Sequence, residues 1–162
     1  MANGGGPIAS RTLGRYDMPL PPQVAAKTVE VLESKKVMDF IRSICPRGEM
    51  RTTNILLSVP GSERQPIHVD SSWEGKASKD PAPHYITILI PLTEPKVECG
   101  GTRLWPRSHK SALFEATHEN KASYVDAVSP FVESGDALIF DGLLAHCGLE
   151  NQSSSDRFFF YG

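Results

Sequence analysis

From Asn54 to the last residue, apolar side chains come in runs too short for any helix to use. NILLSV (54–59), PIHVDSS (66–72), YITILIPL (85–92), TRLWP (102–106), PFVE (130–133), ALIFD (137–141), LLAHCG (143–148) and RFFFYG (157–162) are eight runs of four to eight residues. Each is rich in Val, Ile, Leu or Phe and stops before a period of 3.6 could repeat three times. The stops carry turn chemistry: PGS (60–62), ECGG (98–101), ESGD (133–136) and ENQSSSD (150–156). Gly there permits positive φ, and Asn, Asp and Ser can bond their own backbone. Eight such strands predict a mainly β fold, two sheets packed as a jelly roll.

The preceding segment reads differently. Val24, Val29 and Leu32, then Val37, Met38, Ile41 and Ile44, recur at helical intervals among Lys, Glu and Asp. This predicts one or two amphipathic helices between Pro22 and Cys45, broken near Ser34, whose apolar stripe covers an open sheet face. Residues 1–21 are rich in Gly and Pro and lack an apolar period, so they read as a flexible arm without chemistry. Residues 22–162 then form a single domain. A chain of 162 residues buries about 70% of its unfolded surface, enough for a core without staples.

Charge and cysteines narrow the partners. With 17 Lys and Arg against 19 Asp and Glu the net charge is −2, which offers no general attraction to nucleic acid or to an anionic membrane. Cys45, Cys99 and Cys147 are odd in number and form no Cys-x-x-Cys pair, so neither a disulfide framework nor a zinc knuckle is expected. No apolar run approaches the roughly 20 residues that span a bilayer, and the N-terminus lacks the layout of a secretory signal. The expectation is a soluble, cytoplasmic protein with no membrane or nucleic-acid partner.

Within RQPIHVDSSW, His68 and Asp70 stand two apart. On a strand, residues i and i+2 share a face, so an imidazole and a carboxylate converge there and can offer two ligands to one metal. The same pair could equally be a surface contact or a turn bond. His146 in LLAHCGLEN is a third candidate donor, and two histidines with one carboxylate are the facial triad of non-haem Fe(II) oxygenases. Alone, His146 would read as a hydrogen-bonded core residue. Eleven positions later Arg157 opens the last apolar run, where alternation places Arg157, Phe159 and Tyr161 on one face and Phe158 and Phe160 on the other. An arginine there either ends the strand in solvent or turns inward to fork a carboxylate, because a buried unpaired charge is costly.

Taken in order, Gln65-x-x-His68-x-Asp70, GGTRLWPRSHK from Gly100 to Lys110, GDALIFDGLLAHCGLEN from Gly135, and Arg157 resemble the phytanoyl-CoA dioxygenase family. The resemblance covers about Val31 to Gly162. It implies a double-stranded β-helix with the N-terminal helices packed on one sheet. It also implies dependence on Fe(II), on 2-oxoglutarate as cosubstrate and on O2. By the same resemblance His68, Asp70 and His146 match the catalytic iron ligands, Arg157 the residue gripping the distal carboxylate of 2-oxoglutarate, and Gln65 and Thr102 further cosubstrate contacts.

The implied reaction hydroxylates or otherwise oxidises an unactivated C–H of a small organic substrate while 2-oxoglutarate becomes succinate and CO2. Asp70 favours a hydroxylase over a halogenase, since related halogenases lack that carboxylate. Two other readings stand beside it. One is a non-catalytic module that binds metal and 2-oxoglutarate; the other is a cupin-like hydrolase or isomerase, which would present His-x-His rather than His-x-Asp. Members of the family are longer than this chain, which implies a reduced pocket, one completed by a second copy in a homo-oligomer, or one whose walls are missing because this sequence is a piece of a longer chain. Trp73 and Trp105 read as core, and His84, His109 and His118 as structural or solvent-facing. No stretch specifies the prime substrate.

Overall fold

A computed structural model describes residues 8–9, 12–46, 53–70, 83, 85–109 and 126–162. Strands β1 (Ile8–Ala9) and β2 (Arg15–Pro19) come first, then helices α1 (Pro22–Leu32) and α2 (Lys35–Ile44). Strands β3 (Asn54–Ser58), β4 (Ile86–Pro91), β5 (Thr102–Leu104), β6 (Leu138–Asp141), β7 (His146–Gly148) and β8 (Arg157–Tyr161) follow. The helix break falls at Ser34, which stands at the N-cap position of α2, as the change in apolar spacing predicts.

Six strands form one antiparallel sheet in the order β1-β2-β3-β8-β4-β6, and β5 pairs with β7 in a second. Isolated bridges extend the smaller sheet, His68 to His146 on one side and Leu104 to Val128 on the other. The chain is thus mainly β with two helices, a jelly roll of the double-stranded β-helix type. Consecutive segments are not neighbours: β8, last in sequence, lies between β3 and β4.

Register decides which residues face the interior. Arg15 is opposite Ser58 and Ser58 opposite Arg157; Asp17, Leu56 and Phe159 form the next row, and Leu89 pairs with Tyr161. Directly paired residues share a face, so these rows form the inner surface. On the outer face Phe160 is buried with Leu20 and Leu32, packed by Val37, Ile55 and Ile90, which is where the helices cover the sheet. Between the sheets Leu89, Leu104 and Phe140 form the inner core, with Leu138 and Phe159 against them. Trp105 packs with Ala145 and Cys147 in a third cluster, the core role its size suggests.

Several runs differ from the sequence reading. Residues 15–19, assigned to an arm without chemistry, are a strand fully paired with β3. PFVE is no strand; Val128 makes the contact instead, because Pro130 has no N–H to give a ladder. Of PIHVDSS, only His68 forms a bridge, and Ser71 and Ser72 lie outside the described residues. LLAHCG begins pairing at His146 because Leu143 and Leu144 turn back onto Asp141, whose side chain and carbonyl accept their N–H groups. Among the described residues no helix is long and apolar enough to cross a membrane.

Candidate metal centre and anion pocket

The segment 65–70 is held against 142–148 by backbone hydrogen bonds. His68 and His146 exchange N–H to carbonyl bonds of 2.9 Å in both directions, and Asp70 N–H donates to Gly142. His68, Asp70 and His146 each turn one donor atom inward, and these atoms lie within 4.8 Å of one another. The His146 Nε2 is 3.4 Å from Asp70 Oδ1 and the His68 Nε2 is 3.9 Å from it. The structure therefore brings together three residues that span 78 positions of sequence (146 − 68).

The outer hydrogen bonds fix the chemistry of these donors. Nδ1 of His68 lies 2.9 Å from the Pro66 carbonyl, and Nδ1 of His146 lies 2.9 Å from the Leu144 carbonyl. A carbonyl only accepts, so each Nδ1 carries the proton and each Nε2 presents a lone pair to the centre. Thr87, fully buried, donates to Asp70 Oδ2 at 2.6 Å and leaves Oδ1 to face the histidines. Burial, then the neighbouring His146 ring, pushes the His68 pKa down and favours its neutral form. Burial would raise the Asp70 carboxyl, but the His146 ring and the Thr87 hydroxyl hold it below its usual value. Two imidazole nitrogens and one carboxylate at this spacing fit the donor set of a divalent first-row ion.

The same cavity, about 190 Å³, carries a second constellation. Arg157 is buried: Nη1 donates to the Cys99 carbonyl at 2.8 Å and Nη2 to Ser58 Oγ at 2.9 Å, while Nε is buried without a partner. Arg15 donates from Nη1 to the same Ser58 hydroxyl at 2.9 Å, from Nε to the Glu63 carbonyl at 2.7 Å, and from Nη2 to the Leu149 carbonyl. Among the described residues no carboxylate forms an ion pair with either guanidinium. Burial pushes both arginines down to about 10, and the charge of Arg15 adds to the effect on Arg157. Two buried cations sharing one hydroxyl, in the lining of the cavity that also holds the donor cluster, fit a carboxylate.

Gln65 and Thr102 line this cavity too. Gln65 Oε1 accepts from Gly148 N–H at 2.7 Å, and Thr102 pairs with Gly148 across β5 and β7. A Cβ on Gly148 would come within 2.6 Å of Arg15 Nη1 and 2.7 Å of Gln65 Oε1, so only glycine allows this approach. His109 sits in the turn after β5, apart from the cavity lining. Trp73, His84 and His118 lie outside the described residues.

Sequence reasoning missed Arg15. The signal was present in RYDMP, where Tyr16 and Met18 alternate with Arg15 and Asp17. Such alternation normally puts the polar face in water; here it lines an internal cavity, which only the pairing with β3 reveals. Tyr161 also borders the cavity, its hydroxyl 3.3 Å from that of Tyr85. Burial, this hydrogen bond and the Asp70 carboxylate push its phenol up, so it stays neutral.

Comparison with known proteins bears on this geometry. The family model described as Phytanoyl-CoA dioxygenase (PhyH) matches residues 12–159. Dioxygenase andF of Emericella variicolor is 38% identical over 110 residues, 64% of this chain and 36% of its own length. Dioxygenase trt7 of Aspergillus terreus is 30% identical over 111 residues, 67% of this chain and 37% of its own. The chain thus spans little more than a third of the curated relatives it matches. Among solved structures, HygX from Streptomyces hygroscopicus with nickel, 2-oxoglutarate and hygromycin B bound superposes with a TM-score of 0.70 at 17% identity, covering 97% of this chain and 73% of that one. EvdO2 from Micromonospora carbonacea var. aurantiaca complexed with 2-oxoglutarate gives 0.55 at 20% identity, covering 84% and 62%. At such identities the likeness speaks for the fold.

Proposed function

This chain belongs to the phytanoyl-CoA dioxygenase family, and from that premise we propose that it is an Fe(II)- and 2-oxoglutarate-dependent dioxygenase hydroxylating an unactivated C–H of a small organic substrate. The observation that carries the reading is the presence, in one cavity, of a His-Asp-His donor cluster and two buried arginines that, among the described residues, have no carboxylate within ion-pair distance. HygX, which shares the fold, holds nickel, 2-oxoglutarate and a small molecule together. That combination supports the same assignment of parts here.

In this reading Nε2 of His68, Nε2 of His146 and Oδ1 of Asp70 would hold the iron. Thr87 donates to Oδ2, so Asp70 would offer the metal its other oxygen, Oδ1. Arg157 and Arg15 grip the far carboxylate of the diacid, with Gln65 and Thr102 bordering its path. When bound, iron and 2-oxoglutarate supply the oxidative chemistry, with O2 consumed and succinate and CO2 released. The protein supplies orientation and a dry wall: Leu89 and Phe140 border the cavity, and the Phe140 ring meets the His146 ring edge-on at 4.8 Å. Asp70 offers a carboxylate where related halogenases lack one, and with it in place a metal would have one fewer site for a halide, which favours hydroxylation over halogenation.

Anaerobic titration with Fe(II) and then 2-oxoglutarate, followed by O2 and measurement of succinate, tests the reading. Binding of both with succinate release is the expected result. Tight binding of both without succinate under any substrate would favour a sensing module, and no 2-oxoglutarate binding at all would sink the proposal.

A further inference from the structure

A second depression, about 220 Å³, lies behind the cavity, and its wall is largely apolar. Val97, Gly101, Pro130, Phe131, Leu138 and Leu149 line it, with Val97 80% and Phe131 56% exposed at its rim. Thr102 and Phe159 line both this groove and the cavity of the donor cluster, so their side chains are the partition between the two. Beyond the partition the path stays apolar. Leu138 and Phe159 pack on Leu89, Leu104 and Phe140, and the Phe140 ring touches the His146 ring.

We propose that this groove is the entry site for dioxygen, separate from the mouth used by the diacid and the prime substrate. The inference rests on the proposed function. It follows from what must reach the iron and by which surface. The charged diacid needs the arginine-lined cavity. Dioxygen is small, uncharged and apolar, gains nothing from those groups, and partitions into apolar voids as xenon does. Once the cavity is filled, the apolar way from the groove toward the donor cluster would run past Phe159 and Phe140, the side chains that stand between the groove and His146. The Arg157 guanidinium stands 5.5 Å from the centroid of the Phe159 ring, so the residue proposed to grip the diacid also bears on one side of the partition.

Two substitutions fill the groove without entering the site. Val97 is on the rim and largely exposed, and a Cβ on Gly101 would meet nothing closer than the Pro130 carbonyl at 3.9 Å. Val97→Trp and Gly101→Leu therefore keep the donor cluster and both arginines intact. Two measurements on the full chain loaded with Fe(II) and 2-oxoglutarate test the proposal. Under xenon pressure, crystals of the parent should hold xenon beside Thr102 and Phe159, and the filled variants should not. The rate of succinate formation should fall about tenfold at low oxygen, equivalent to ~1.36 kcal/mol of added barrier. It should recover as oxygen rises, with Fe(II) and 2-oxoglutarate affinities unchanged. Variants that bind both ligands normally and keep the parent's oxygen dependence would overturn the route and put entry at the mouth. A groove without xenon would overturn it as well. A parent that fails to bind Fe(II) and 2-oxoglutarate would instead overturn the proposed function, and this inference with it.

Discussion

Ser58 Oγ accepts from two buried arginines at 2.9 Å each, and among the described residues neither has a carboxylate within ion-pair distance, Glu150 acting on Arg15 only from farther off. Removing one guanidinium should therefore weaken diacid binding far more than it weakens the fold. Arg157→Ala is expected to raise the 2-oxoglutarate Kd by about 30-fold or more, from the roughly 2–5 kcal/mol at stake in one side of a desolvated charge pair. Arg157→Lys should recover only part, since an ammonium cannot reproduce the planar fork. Fe(II) affinity measured without the diacid should not change, and equal 2-oxoglutarate affinity in parent and Arg157→Ala would remove the assignment. At the donor cluster the matching test is His146→Ala, which should lose tight Fe(II) binding. Thr87→Val, which deletes the hydroxyl holding Asp70 Oδ2, should weaken Fe(II) by about 10–100-fold, as loss of an outer-shell partner does. Isothermal titration under anaerobic conditions reads all of these. Of these residues His68, Asp70, His146 and Arg157 were legible as types and spacings. Thr87 and Ser58 were not, because a hydroxyl in an apolar strand gives no sign of what it will face.

At the scale of the element, β8 shows how one strand serves both the site and the fold. Arg157, Phe159 and Tyr161 face the interior, whereas Phe160 is 3% exposed beneath the helices with Leu20 and Leu32. Phe160→Ala should cost about 3–5 kcal/mol in urea unfolding, the range for an aromatic removed from a core. Fe(II) and 2-oxoglutarate affinities at low denaturant should stay near those of the parent. A variant that unfolds at the parent's midpoint would show that the helices do not depend on this contact. The alternation of β8 was readable because large apolar residues mark both faces. β2 was not, since Arg15 and Asp17 on its inner face imitate a solvent-facing side, and Gly14, Pro19 and Pro21 suggest an arm.

At the scale of the molecule, the cavity couples ligand binding to stability. Burial lowers both arginines to about 10 in the folded chain, below the ordinary arginine value. The shift is a cost: it disfavours the folded state fully at any pH below about 10 and fades only as pH rises from there toward the ordinary arginine value. A bound dicarboxylate supplies the missing counter-charge, so Fe(II) with 2-oxoglutarate should raise the thermal midpoint. At 100 times Kd the gain is about 2.7 kcal/mol. A monocarboxylate such as acetate at the same concentration should give little, and no shift with 2-oxoglutarate by differential scanning calorimetry would count against the cavity as its site. The sequence by itself determined what local spacing and residue chemistry encode: short strands bounded by turn residues, two helices parted at Ser34, a His-x-Asp pair, a distant histidine and a charged residue opening an apolar strand. Only the tertiary structure decided which segments adjoin. It set β8 between β3 and β4, carried β2 onto the inner sheet, and locked both imidazoles by carbonyls two residues back. The physical reason is range: periodicity and turn propensity act over a few residues, whereas the cavity is made by strand pairings up to 107 positions apart (161 − 54), whose register no local signal carries.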